Sequence, residues 1–406
     1  MALRIEGIEF RDFRSYGQLR LEGLGPLTVL VGPNAVGKTN IVEGIQLLTA
    51  LVSFRRPTID QMIRRGASSA RISSHVSDGN RELDVELRLE GHARRFLLNG
   101  KGKRPADLKG LIPSVTFTPD DLDLVKGPMG NRRRALDVLG SQLSASYHTV
   151  LKDYEKVIQH KNRLLRDEAS DLMIDSIDEM LLISGSQLTC YRAALVARLA
   201  PKVERRYAEI AGAGEQLEMR YRPSWEVHRG ADSRSGRDVM DGGDREGDPS
   251  ATVAAACAAG VGDEGASSES LTETISRDEA RRHLEAALMA RRAEERARRR
   301  AVVGPQGDAI TFAIDGMDAS LYGSQGQQRS VVLAWKLAEA AVIEEMLDQK
   351  PVLLLDDVMS ELDKQRRAAL VSYISDDAQT FITTANLNYF DEGMLQQARV
   401  IQLPLP

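Results

Sequence analysis

Cysteine is almost absent from this 406-residue chain, which holds only Cys190 and Cys257. Two thiols so far apart form neither a disulfide framework nor a zinc site, which predicts reduced thiols in a cytosolic setting. Aromatic residues make up 5% of the chain, and no basic stretch is interleaved with aromatics as in proteins that stack nucleic-acid bases. An excess of positive charge is missing as well. The formal net charge is −5, so nucleic-acid contacts would have to come from a local basic face. No uncharged apolar run approaches the roughly 18 residues of a membrane span. Arg4, Glu6 and Glu9 interrupt the N-terminal stretch that a signal peptide would need apolar. These absences predict a cytoplasmic protein with no membrane partner.

What remains is an ordinary globular composition in a chain long enough for two domains. Leu3, Ile5, Ile8 and the run Leu27–Val31 predict strands over residues 3–31, then a glycine-bearing loop and a helix from about Lys38 to Leu51. Residues 70–98 alternate apolar and polar, which predicts antiparallel strands, with a turn at Asn99-Gly100 and Lys101-Gly102. From residue 131 to about 210 the apolar spacing becomes helical in two long series, predicting a separate domain of packed antiparallel helices. Residues 229–276 are rich in glycine and acid, predicting a disordered insertion. The predicted organisation is therefore 1–130, a helical arm over 131–228, the insertion over 229–276, a charged helix over 277–302 completing the arm, and 303–406.

Two segments carry chemistry. Gly32-Pro33-Asn34-Ala35-Val36-Gly37-Lys38-Thr39 fits the phosphate-binding loop G-x-x-x-x-G-K-[ST], with a strand before it and a helix after it. The glycines let backbone N–H groups converge on one anion, and the helix start adds partial positive charge. Lys38 is expected on the β- and γ-phosphates of ATP, Thr39 on Mg2+, and Asn40 within the cradle. Downstream, Val352–Asp357 is an apolar strand ending in two acids, placed where ligands bind in open α/β sheets. Asp356 is the expected second Mg2+ ligand. Asp357 is the expected catalytic group that orients or deprotonates water, with Lys38 as its electrostatic partner.

Tyr322-Gly-Ser-Gln-Gly-Gln-Gln-Arg-Ser330 is a second anion-binding helix start in a chain with one phosphate loop. The economical reading is that it serves a nucleotide held by another copy. Residues 324–328 resemble the signature motif of the ABC ATPases, and Ser360–Asp363 resemble their D-loop. Within that class the chain resembles the RecF family of bacterial recombination mediators. The resemblance rests on Phe10–Tyr16, Val115–Leu122, Arg132–Arg134, Tyr322–Arg329 and Leu353–Asp363, and covers most of the chain outside 229–276. It implies an α/β ABC-ATPase head, with a mixed sheet around the phosphate loop and an inserted helical arm. It also implies that Ser324, Gln325 and Gly326 act in trans across an ATP-dependent homodimer. DNA, bound without sequence preference as duplex or gapped substrate, and the mediator proteins RecO and RecR are the implied partners. The implied role is recombinational repair with SOS induction and slow ATP hydrolysis.

Two departures stand out. The family's Gly-Pro-His-Arg-Asp-Asp is here Gly304-Pro-Gln-Gly-Asp-Ala309, and residues 382–386 read Ile-Thr-Thr-Ala-Asn, raising the question of how hydrolysis is tuned. Candidate DNA-phosphate contacts are Arg132–Arg134, Arg55-Arg56, Arg64-Arg65 and the arginines of 291–300. The rival readings are a transporter's ATP-binding subunit, against which Ala385 in place of a switch histidine and the long arm argue, and a small-molecule P-loop kinase, which would have no use for residues 322–330. A third is an SMC-like structural protein, for whose long coiled-coil arms the helical segments are too short.

Overall fold

The computed structural model describes residues 3–212, 214–226, 275–374 and 378–404. Of the expected disordered insertion, residues 229–274 lie outside these.

Period-2 patterning builds the first sheet. Strands β1 (Arg4–Phe13) and β2 (Tyr16–Glu22) form a hairpin. β3 (Leu27–Val31) is buried throughout and leads through the glycine loop into helix α1 (Lys38–Thr49). After the short helix α2 (Ile59–Met62) come β4 (Ser69–Ser77), β5 (Glu82–Glu90), β6 (Ala93–Leu98) and β7 (Lys101–Lys103). They complete an antiparallel sheet of order β2-β1-β4-β5-β6-β7. Its last turn is Asn99-Gly100 alone, both residues having positive φ, as a tight two-residue hairpin requires. Lys101 and Gly102, read as part of the turn, already belong to β7.

β8 (Ser114–Phe117) belongs with β3 to the second sheet, and three helices follow: α3 (Met129–Leu143), α4 (Ala145–Arg166) and α5 (Asp171–Ala211). The first of the two helical series splits because the Ser144 hydroxyl accepts from the Tyr147 N–H and starts a new helix. β9 (Leu217–Arg222) pairs across a long sequence gap with β10 (Ala309–Ile314), next to β11 (Met317–Asp318). Between β9 and β10 lies α6 (Arg277–Arg298), N-capped by Ser276. The chain closes with α7 (Gln325–Leu347), β12 (Val352–Asp356), α8 (Lys364–Ile374), β13 (Thr380–Thr384), α9 (Glu392–Gln397) and β14 (Arg399–Gln402).

The second sheet is parallel, in the order β14-β3-β13-β12-β8. Its faces bury two different cores because successive side chains point to opposite sides. Leu30 and Leu354 pack with α1 and the antiparallel sheet. Val29, Leu353 and Leu355 pack with Leu136 of α3, Leu188 and Leu199 of α5 and Trp335 of α7 in one apolar cluster. The helices beyond residue 131 therefore form the second layer over this sheet and share its core. α5 is long and apolar enough to cross a membrane by length and composition, but its apolar window is 61% buried inside the protein, against α4, α6 and α7.

Two polar clusters pin the helices. Arg192 of α5 bridges Asp137 of α3 and the buried Asp308, at 2.8 and 3.0 Å, and donates to the Pro305 carbonyl. Gln306 meets Tyr154 of α4. The family departure at 304–309 thus lies at the joint between helices and head, not beside the phosphate loop. Farther along, the Lys161 ammonium, fully buried, sits 2.7 Å from Asp178 and 2.6 Å from Glu295, tying α4, α5 and α6 together. Lys161→Ala strands two acids in the interior. Denaturant unfolding is expected to show a loss of about 3–5 kcal/mol, the usual result of removing one partner of a buried pair.

Candidate functional site

The loop between β3 and α1 is shaped by contacts that only glycine permits. At Gly37 φ is +107°, and a Cβ there would lie 2.5 Å from the Tyr16 hydroxyl; at Gly32 it would lie 2.4 Å from the Leu403 carbonyl oxygen. The β1–β2 hairpin therefore braces the loop from one side and the residue following β14 from the other. Burial pushes the Tyr16 phenol up to about 12, so it remains neutral. Gly37→Ala adds both the clash and the left-handed strain, about 1–3 kcal/mol. Titration with a fluorescent nucleotide is expected to show binding weakened roughly 10- to 100-fold.

Lys38, 8% exposed, donates to the carbonyls of Gly32 and Pro33 at 2.7 and 2.9 Å. Its ammonium is thus held over the loop that the sequence motif defines. Asn40 donates to the Ser15 hydroxyl at 2.9 Å and accepts from Arg55 at 2.8 Å. Beneath them the Glu43 carboxylate, with no exposed side-chain surface, receives Arg14 at 2.7 Å and the Ser53 hydroxyl at 2.6 Å. This arrangement anchors the start of α1 to the hairpin.

Residues far apart in sequence converge here as expected. The Thr39 hydroxyl donates to Asp356 Oδ1 at 2.9 Å. Two neighbouring oxygens of a magnesium octahedron, each about 2.1 Å from the ion, stand about 3 Å apart, so the pair matches that cation's spacing. Among the described residues no group of three or more His, Cys, Asp or Glu could hold a metal. Burial raises the Asp356 pKa, opposed by the hydrogen bonds from Thr383 and Thr39.

Thr383 is the residue that sequence reading missed. Its hydroxyl donates to Asp356 Oδ1 at 2.8 Å and accepts the Asp357 N–H at 3.0 Å, so one side chain orients both acids. The available signal was a threonine pair ending β13, directly after Phe381 and Ile382. Asp357 adopts a left-handed backbone, φ 53°, which turns its side chain out of the strand register. Burial raises its pKa, offset by the charge of Lys38.

The second anion-binding element is exposed. Ser324 caps α7 by accepting the Gln327 N–H at 3.2 Å, while the Gln327 side chain accepts the Ser324 N–H at 2.7 Å. Ser324 and Gln325 face solvent, and Gly326 is half-buried against Arg366. Among the described residues no hydrogen bond or ion pair joins residues 32–40 to 322–329. Arg329, in the first turns of α7, pairs with Glu361 of the D-loop-like segment at 2.5 Å.

The candidate DNA-contact arginines divide. Arg132 is corrected: it is 3% exposed and donates to the carbonyls of Leu124 and Ile310, which makes it a structural residue. Most of the arginines on α6 are engaged too. Arg292, Arg296 and Arg299 pair with Asp175, Asp171 and Glu168, and Arg291 and Arg298 pair with Glu294. Arg64 pairs with Asp12. Arg56 and Arg134 are exposed and, among the described residues, form no ion pair.

A strand, a phosphate loop, an acidic strand two positions across the sheet and an exposed capped helix together define an ATPase head. The RecF/RecN/SMC N terminal domain family matches residues 4–402, and the chain belongs to it. Within that family its relatives are RecF proteins. The DNA replication and repair protein RecF of Synechococcus sp. (strain JA-3-3Ab) is 34% identical over 399 residues, covering 96% of this chain and 93% of the relative. That of Symbiobacterium thermophilum is 36% identical over 383 residues, covering 94% and 91%. The solved structure of the recombination mediator protein RecF-ATP in the RecFOR pathway has a TM-score of 0.78 and 25% identity, covering 96% of this chain and 94% of that one. A companion RecF-ATPrS structure, at 24% identity and TM-score 0.79, agrees in fold with similar coverage.

Proposed function

We propose that this chain binds ATP with Mg2+ and uses it to close a homodimer around DNA during recombinational repair of gapped or stalled-replication DNA, upstream of SOS induction. Support comes from the relatives' names, from the RecF-ATP structure and from the site geometry. The observation that carries the reading is the exposure of Ser324 and Gln325 at a capped helix start, in a chain whose single phosphate loop is elsewhere. In this reading a γ-phosphate on one copy's loop meets Ser324, Gln325 and Gly326 of the second copy.

The division of labour follows from the contacts. Loop N–H groups and Lys38 hold the phosphates, while Thr39 and Asp356 hold the cation. When bound, Mg2+ neutralises charge on the phosphates. Asp357 accepts the proton of the attacking water, and Thr383 fixes the Asp356 carboxylate and the Asp357 backbone. Arg329 links the signature-like helix to Glu361, so contact in trans is transmitted to the segment following Asp357. Closure then depends on which nucleotide is bound, a population shift with a defined differential contact. The helices over 131–228 and 277–302 act as the arm that closes on DNA, and RecO and RecR are the partners carried over from the RecFOR relatives.

Hydrolysis should be slow. Asp357 stands where most transporter ATPases have glutamate, and one methylene less holds the carboxylate about 1 Å farther from water. A steady-state phosphate-release assay should therefore read below the roughly 1–100 per second of kinases. DNA binding in ATP, in ADP and without nucleotide tests the whole reading. Equal affinity in all three would remove the switch, and an affinity insensitive to salt would exclude phosphate contacts.

A further inference from the structure

The longest helix of the proposed arm ends close to the exposed helix start that carries Ser324. α5 runs 41 residues from Asp171 to Ala211, about 60 Å at 1.5 Å per residue. Its first half is locked to α4 and α6 by the ion cluster of Lys161, Asp178 and Glu295. Its last turn reaches the head, where Gln365 of α8 donates to the Ile210 carbonyl at 2.9 Å. The next residue, Arg366, donates to the Ser330 hydroxyl of α7 at 2.9 Å. One helix thus joins the ion cluster to the neighbourhood of the signature-like segment.

Between α5 and β9 stands Glu215, half-buried. Its neighbour Gln216 is pinned to the turn between β10 and β11. It donates its N–H to Asp315 Oδ1 and accepts the Asp315 N–H, both at 2.9 Å. From this fixed point the Glu215 carboxylate reaches two ways. One oxygen accepts the Tyr207 hydroxyl of α5 at 2.6 Å, and the other accepts from Gln327 Nε2 of α7 at 3.0 Å. Tyr207 is buried, and burial, reinforced by the Glu215 carboxylate, pushes its phenol up, so it stays a donor. An ionised carboxylate only accepts. The Gln327 amide therefore turns its NH2 toward Glu215, which leaves its oxygen for the Ser324 N–H at 2.7 Å. The Gln327 N–H closes the cycle by donating to the Ser324 hydroxyl at 3.2 Å. A reversed amide would set its NH2 against the Ser324 N–H, donor against donor. Glu215 thus selects the one amide orientation that holds Ser324.

We propose that Glu215 is a positioning residue for closure, tying Ser324 to α5 through Gln327 and Tyr207 so that the contact made in trans is set from the arm. The proposal rests on the trans reading above and adds the residue that aims Ser324. Its test is ATP-driven dimerisation of the full chain, followed by sedimentation. Glu215→Leu keeps the bulk and removes both acceptors, and a homodimer contains the contact twice. Its dimerisation constant in saturating ATP is expected to weaken at least about tenfold. Glu215→Gln keeps an oxygen for the Gln327 amide and should stay within about threefold of the unmodified protein. Fluorescent-nucleotide binding to the monomer should be unchanged in both, a readout that general damage to the head would move. In a Gln327→Ala background, Glu215→Leu should add nothing, because Glu215 reaches Ser324 only through that amide. Tyr207→Phe keeps the buried ring and loses only the hydroxyl, so a smaller weakening of about threefold is expected. Should Glu215→Leu fail to fold, normal dimerisation in Tyr207→Phe overturns the proposal. Normal dimerisation in a folded Glu215→Leu does so too, as does a loss that Glu215→Gln fails to restore or that adds in full to that of Gln327→Ala. An unmodified protein that stays monomeric in ATP refutes the trans reading itself; a normal ATP dimer with indifferent variants sinks only the role of Glu215.

Discussion

Ser324→Asp is expected to remain monomeric in saturating ATP, with dimerisation weakened at least about 100-fold. Aspartate caps a helix as well as serine does, so α7 and its bond to Gln327 should survive. What changes is a negative charge placed where the partner's γ-phosphate would come, and like charges forced together at an interface cost several kcal/mol. Ser324→Arg tests the same contact by bulk and is expected to block it too. Nucleotide binding to the phosphate loop of each monomer should stay within about twofold, because no bond connects Ser324 to its own loop. Light scattering reads the outcome directly. A dimer that forms normally in both variants would mean that each chain encloses its nucleotide alone.

Asp357→Asn should lower ATP hydrolysis by about 10²- to 10⁴-fold, the range associated with loss of a general base, while binding and closure persist. Asparagine tolerates the left-handed backbone that Asp357 adopts, and the hydrogen bonds that the Asp357 N–H donates to Thr383 do not involve the Asp357 side chain. The fold should therefore be retained and the dimer become longer-lived. The pH profile gives a second readout. Burial lifts the Asp357 pKa above its ordinary 3.8, and the ionised form is the base. Activity should be full well above that raised pKa and fall as pH drops through it; the Asn variant should lack this limb. A phosphate-release assay across pH checks both, and unaltered turnover in the variant would assign the proton to another group.

Much of this site is legible in the amino-acid order, for reasons that differ by element. Gly32 to Thr39 is readable because anion binding by backbone demands glycine at fixed places. The pairing of Thr39 with Asp356 follows because parallel strands deliver their C-terminal ends to one edge. Thr383 escaped because its role depends on β13 lying between β3 and β12, an adjacency that spacing along the chain does not encode. Arg132 misled for a geometric reason. Three consecutive arginines look like one surface patch, yet successive helix residues are about 100° apart. In α3 that rotation puts Arg132 in the core, Arg133 half-buried and Arg134 in solvent. The arginines of 291–300 differ, since their acidic partners sit at the start of α5, just before it or one turn away, pairings that only packing shows. β9 was passed over because its partner β10 lies nearly ninety residues on, beyond any local pattern.

The strand that launches the phosphate loop, β3, is sandwiched between β13 and β14, the last two strands of the chain, and Gly32 rests on Leu403. The glycine loop therefore precedes in sequence, by more than three hundred residues, both strands that flank its launching strand. Until those distant strands have docked, β3 has neither edge partner, so the cradle for phosphate is completed only by long-range folding.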